Sequence, residues 1–231
     1  MTALEALDNG IASVTRWGAA FRRGRLLHPA GAAFEARFTV TPTMAFGVPL
    51  LDEPRTYRAV ARLSKATSTP RDWPDVLGLA WRVVDAGGPG APLDIALSTT
   101  GRAVVLRHLL VPRRDFARAT FTSLLPYRIG GRNRYVAAVP DTGPGIPADA
   151  ASLATRIGTR PFVLSIMVAD LTGPWCPVAS LRLDRSSEED PAFDVVVNSL
   201  SGFAPAGWVN RLRGPAYRGS QRGRRGDGGS P

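Results

Sequence analysis

Short apolar or alternating segments, each cut off by proline or glycine, constrain the fold more than any other feature of this chain. They run Phe34 to Thr41, Tyr57 to Ser64, Leu77 to Asp85 and Leu93 to Thr99, with turn signals such as Thr41-Pro42 and Gly87 to Gly90 between them. Alternation with period two is the mark of a half-buried strand, and this punctuation is that of a largely antiparallel sheet. Later segments predict strands at Tyr135 to Val139, Phe162 to Ala169, Val178 to Leu183 and Phe193 to Asn198, and helices over 113–125 and 148–157. About eight strands with helices interspersed suit an α+β chain built on a closed antiparallel barrel.

Before the first strand, Leu4, Leu7, Ile11, Val14, Trp17 and Phe21 recur at three- and four-residue intervals, the spacing of one helical face. The chain has 231 residues, enough for one well-filled core, so residues 1–225 are expected to form a single domain. The Gly-rich end, 226–231, is expected to be disordered, and the loops 141–147 and 185–191 to be exposed. No apolar run approaches the roughly 18 residues of a membrane span. Glu5 and Asp8 precede any base, which does not read as a secretory signal and makes the cytoplasm the expected compartment.

The formal net charge of +10 raises the question of nucleic acid. Lys65 is the one lysine among 29 basic residues, a bias towards arginine rather than a selection for phosphate contact. No helix-turn-helix, zinc-finger or aromatic-interleaved basic motif accompanies the charge, and specific nucleic-acid binding is not expected. The single Cys176 excludes an internal disulfide and any cysteine-cluster metal site, and is expected to be buried.

Two segments carry chemistry. Near the end, Arg213 stands four residues before Tyr217, one helical turn away, where its guanidinium can hold the phenol oxygen as a phenolate. A tyrosine phenolate is one of the few proximal ligands of haem iron. Near the start, His28 lies just ahead of a strand, and histidine's pKa suits it to take and return a proton. His108, the other histidine, reads as structural.

The run Arg213, Tyr217, Ser220, Gln221, Arg224 resembles the catalase haem-ligand signature, with Gly219 where that family has aspartate. The segment from Arg25 through His28 and Gly31 resembles the catalase distal segment, and Ala61 to Ser64 resembles its Val-Arg-Phe-Ser strand. Pro74 to Val83 and Leu93 to Ile95 resemble the two blocks that follow, so the likeness covers roughly residues 22–100 and 193–225. The resemblance implies an eight-stranded antiparallel β-barrel of the catalase type and a haem b cofactor with iron on Tyr217. It implies Arg213 holding that tyrosine ionised, Arg25, Arg62 and Arg224 around the haem, and His28 with Ser64 on the distal side.

On the same register Thr99 stands where catalases have the asparagine that orients peroxide. A hydroxyl is shorter than an amide and its direction less fixed. The resemblance therefore implies a haem peroxidase or hydroperoxide-transforming oxidoreductase, weak as a true catalase. A second reading is a catalase-fold protein without peroxide chemistry that binds a ligand or partner. The natural substrate, the reducing partner and self-association as a homo-oligomer stay open.

Overall fold

The computed structural model describes residues 31–206, apart from positions 68, 71, 72, 102, 105 and 142. Ten strands follow one another: β1 (Gly31–Val40), β2 (Arg55–Lys65), β3 (Leu77–Val83), β4 (Leu93–Thr99), β5 (Phe121–Thr122), β6 (Tyr127–Ile129), β7 (Arg132–Pro140), β8 (Phe162–Asp170), β9 (Cys176–Ser186) and β10 (Phe203–Pro205). Every pairing is antiparallel, and β7 meets β8 while β9 meets β1. The circuit β1-β2-β3-β4-β5-β7-β8-β9 is therefore a closed eight-stranded barrel, with β6 and β10 as a short annex beside β7. Closure gives each of the eight strands a neighbour on both sides, with β5 covering β4 at Ser98 and Thr99.

Alternation decides which residues fill the core. Phe34, Ala36, Phe38 and Val40 of β1 are buried together with Tyr57, Ala59, Ala61 and Leu63 of β2. Leu77, Leu79, Trp81 and Val83 of β3 join Leu93, Ile95 and Leu97 of β4 in the same core. Residues at the intervening positions face outward, since successive strand side chains point to opposite sides. The helix Ala150–Thr159 adds Leu153 and Ile157, four apart and thus on one face. Its first turn is capped by Asp149, whose carboxylate accepts the Ser152 N–H at 2.8 Å, and Pro161 forbids its extension. Among the described residues no helix is long and apolar enough to cross a membrane.

Two expected elements are absent. Residues 113–125 form a three-residue 3-10 turn (Phe116–Arg118) and the strand β5 rather than a helix. Asp115 draws the N–H groups of both Ala117 and Ile146 to its carboxylate, and Phe116 N–H bonds Ile146 carbonyl, so this stretch is tied to a distant loop. The β-favouring Phe121-Thr122 pair then spans the gap between β4 and β7. Residues Phe193 to Asn198 make a turn, not a strand: the Asp194 carboxylate accepts the N–H groups of Val196 and Val197, and the Asn198 N–H reaches Asp194 carbonyl. In the loop 141–147, expected to be exposed, Ile146 is buried. Cys176 is only half-buried, at the start of β9, a correction to the expectation of a core cysteine. The N-terminal helix expected around Leu4 to Phe21 and the tail 226–231 lie outside the described residues.

Candidate functional site on the outer face of β2 to β4

Strand register brings four small residues into one outward row. Gly31 pairs with Ser64, Ser64 with Gly78, and Gly78 with Ser98. The next outward row is Ala33, Arg62, Ala80 and Ala96. A Cβ on Gly31 would lie 2.7 Å from the Leu63 carbonyl oxygen and 2.9 Å from Ser64 Cβ, so no larger residue fits there without moving β2. The result is a level floor of small side chains with two hydroxyls, and both Ser64 and Ser98 are buried.

Beyond this floor lies an ionic margin. Arg82 presents Nε and Nη2 to the two oxygens of Asp94, each at 2.7 Å, and the carboxylate is wholly buried. Asp94 also accepts the Asp194 N–H and the Asn198 side-chain amide, both at 2.8 Å. The hydrogen bonds to Asp94 hold the Arg82 guanidinium above its ordinary pKa, against the cost of burial. Arg62 is paired with Asp190, Arg58 with Glu189, and Arg82 also donates to the Ala192 carbonyl. Residues 189–198 thus form a strap across β2, β3 and β4.

Of the residues singled out in the sequence, the structure brings Ser64 and Arg62 onto this face and does not bring Thr99. Thr99 has the parity of Ile95 and Leu97, so its side chain points into the barrel. There its hydroxyl accepts the Leu77 N–H at 3.1 Å. The residue of β4 in line with Ser64 is Ser98, which the sequence reading passed over. Its signal was available in the apolar alternation Ile95, Leu97, Thr99, which leaves Asp94, Ala96 and Ser98 on the other side. Arg25, His28, Arg213, Tyr217 and Arg224 lie outside the described residues.

His108 stands apart, across β3, β4 and β5 from Ser64. Its ring meets Tyr135 of β7 edge-on, with centroids 4.8 Å apart. Burial lowers its pKa, the Arg107 charge adds to this, and a hydrogen bond with the Leu124 backbone opposes it. Arg107 is buried too, stacked on Trp175 at 4.6 Å and donating to the carbonyls of Asp170 and Gly173. Burial lowers its pKa as well, and the neighbouring Tyr135 opposes the shift.

A cavity of about 140 Å³ opens beside the Gly31–Ser64 end of the floor. Ser64, Lys65, Thr69 and Asp149 contribute its polar groups, and Phe116, Ala148, Ala150 and Leu153 its apolar ones.

No known family model matches the sequence, and no curated protein matches it. Among solved structures a bacterial catalase matches, with a TM-score of 0.56 and 14% sequence identity. The match covers 91% of this chain but 60% of the catalase, so the chain spans about three fifths of that protein's length. The barrel is therefore of the catalase type, and at this identity the likeness establishes the fold alone.

The floor bears on the haem that the sequence resemblance implies. Gly78, Ala80, Ala96, Ser64 and Ser98 project little, which suits one face of a flat macrocycle. A guanidinium, Arg62, borders it, which suits a carboxylate. The described half of the site fits such a group, with the qualification that Arg62 already has Asp190 as partner.

Proposed function

We propose that the protein is a haem-dependent peroxidase or hydroperoxide-transforming oxidoreductase, weak as a true catalase. The observation that carries this reading is the alignment of Ser64, from the strand resembling the catalase distal block, with a floor of small residues on a catalase-type barrel. Tyr217 would hold the iron and Arg213 would keep its phenol oxygen ionised. Arg25, Arg62 and Arg224 would border the group, Arg62 after exchanging Asp190 for a carboxylate. Bound haem would supply the electron exchange with the peroxide.

The side chains have the proton work. His28 would take the proton from one peroxide oxygen and return it to the departing one, with the Ser64 hydroxyl holding the imidazole. The place that Thr99 held in the sequence reading passes to Ser98, whose hydroxyl shares the face of Ser64. A serine donates one short hydrogen bond where an amide would reach further, and dismutation of hydrogen peroxide is accordingly slow. Overall, one hydroperoxide and two phenols would give an alcohol, one water and two phenoxyl radicals, each phenol losing one electron and one proton. The cytoplasm is the proposed compartment.

The second reading, a barrel that binds a ligand or partner without peroxide chemistry, draws on the Arg62–Asp190 pair, which occupies the guanidinium a haem carboxylate would need. Peroxide-dependent oxidation of a phenol by haem-supplied protein separates the two. His28→Ala should lower that turnover by about 10²–10⁴-fold with haem retained, the usual worth of a positioned proton-transfer group. Unchanged turnover in this variant would remove His28 from the chemistry, and a haem-loaded protein inert to peroxide would favour the second reading.

A further inference from the structure

The cavity beside Ser64 has a size and lining that select a ligand. Its polar groups come from the end of β2 and the loop after it, with Asp149 at the helix start. Lys65, the one lysine of the chain, is buried and donates from Nζ to the carbonyls of Thr69 and Pro70 at 2.9 and 3.0 Å. Asp75 fixes the same loop by accepting the N–H and O–H groups of both Thr67 and Thr69, at 3.0 to 3.3 Å. This wall is built rather than loose. The apolar lining is equally fixed, since Phe116, Ala148 and Leu153 are buried core residues.

Volume sets the first limit. An apolar cavity of about 150 Å³ in another protein accommodates benzene, so about 140 Å³ has room for one six-membered ring. Charge sets the second. One ammonium and one carboxylate, Lys65 and Asp149, line the space together, so a neutral ligand leaves the balance undisturbed while a carboxylate or an amine upsets it. The hydroxyl oxygens of Ser64 and Thr69 are acceptors for a single O–H group, the Thr69 proton being held by Asp75.

We propose that this cavity is a binding site for a neutral one-ring phenol. The proposal rests on the peroxidase reading for the phenol's role as electron donor, and on the cavity alone for its binding.

The test is titration of phenol into the full chain, with and without haem, followed by ligand NMR or calorimetry. One saturable site per chain is expected, with benzoate weaker by about tenfold or more, or roughly 1.4 kcal/mol. Leu153→Trp fills the cavity, and Ala150→Phe plugs it from an exposed first-turn position that tolerates bulk. Each should weaken phenol by about tenfold or more, while Leu171→Ser, on an exposed turn, should leave it unchanged. Unsaturable binding, benzoate equal to phenol, or phenol affinity indifferent to Ala150→Phe in a folded variant would overturn the site. Phenol that binds here but is never oxidised with peroxide would sink the enzymatic reading and leave the site standing. Oxidation that ignores both cavity variants would do the reverse.

Discussion

Replacing Thr99 by valine removes the oxygen that accepts the Leu77 N–H, in a place where no water can substitute. A buried donor left unpaired costs about 1–3 kcal/mol, so Thr99→Val should lower unfolding free energy in urea by that amount. Peroxide turnover per haem-loaded molecule should not follow it. Ser98 should behave in the opposite way: Ser98→Ala is expected to change stability little and turnover clearly, and Ser98→Asn to raise dismutation. If Thr99→Val alters turnover and Ser98→Ala does not, the face assignment from strand parity is wrong.

His108 gives a residue-scale pH test. Its pKa is lowered in the fold, so the neutral ring is favoured there and protonation favours the unfolded chain. Its full contribution is present above the unfolded value of about 6.5 and is lost as pH falls through that value towards the folded one. The melting temperature should therefore drop between pH 7 and 5, and His108→Phe should flatten the drop. A slope unchanged by that substitution would assign the pH dependence to other groups.

At the scale of elements, the strap 189–198 depends on Asp94, which gathers four donors from Arg82, Asp194 and Asn198. Breaking a fully buried ion pair costs roughly 3–5 kcal/mol, and the 23% exposure of Arg82 puts Asp94→Asn at the lower end. Hydrogen exchange at Val196, Val197 and Asn198 should quicken in that variant more than exchange in β1 or β9. Uniform change across the barrel would mean that the strap is not a local unit.

The same elements show what was legible in the sequence. Seven barrel strands announce themselves through alternation, because each must show one apolar face to the core. The eighth, β5, has two residues, too few for a period, and the Arg- and Ala-containing stretch before it imitates a helix. Phe193 to Asn198 imitates a strand, yet where its Asn198 carbonyl meets β4 at the Asp94 N–H, Asp194 has already folded the backbone into a turn. The count of eight was thus right with one wrong member. At the candidate site, the resemblance pointed to Ser64 and Arg62, and strand parity sets both side chains on the outer face of β2. Thr99 lies one position from Ser98, and one position along a strand turns a side chain to the opposite face.

On the scale of the whole molecule, a barrel closed by β7–β8 and β9–β1 devotes one outer wall to a floor of small residues edged by arginines. That wall is where we propose that haem binds, and the visible spectrum reports on it directly. Titrating haem into the protein and following its Soret absorbance should give saturation at about one haem per chain, with the ligand band lost or shifted in Tyr217→Phe. A spectrum that stays that of free haem throughout the titration would contradict the account at its centre.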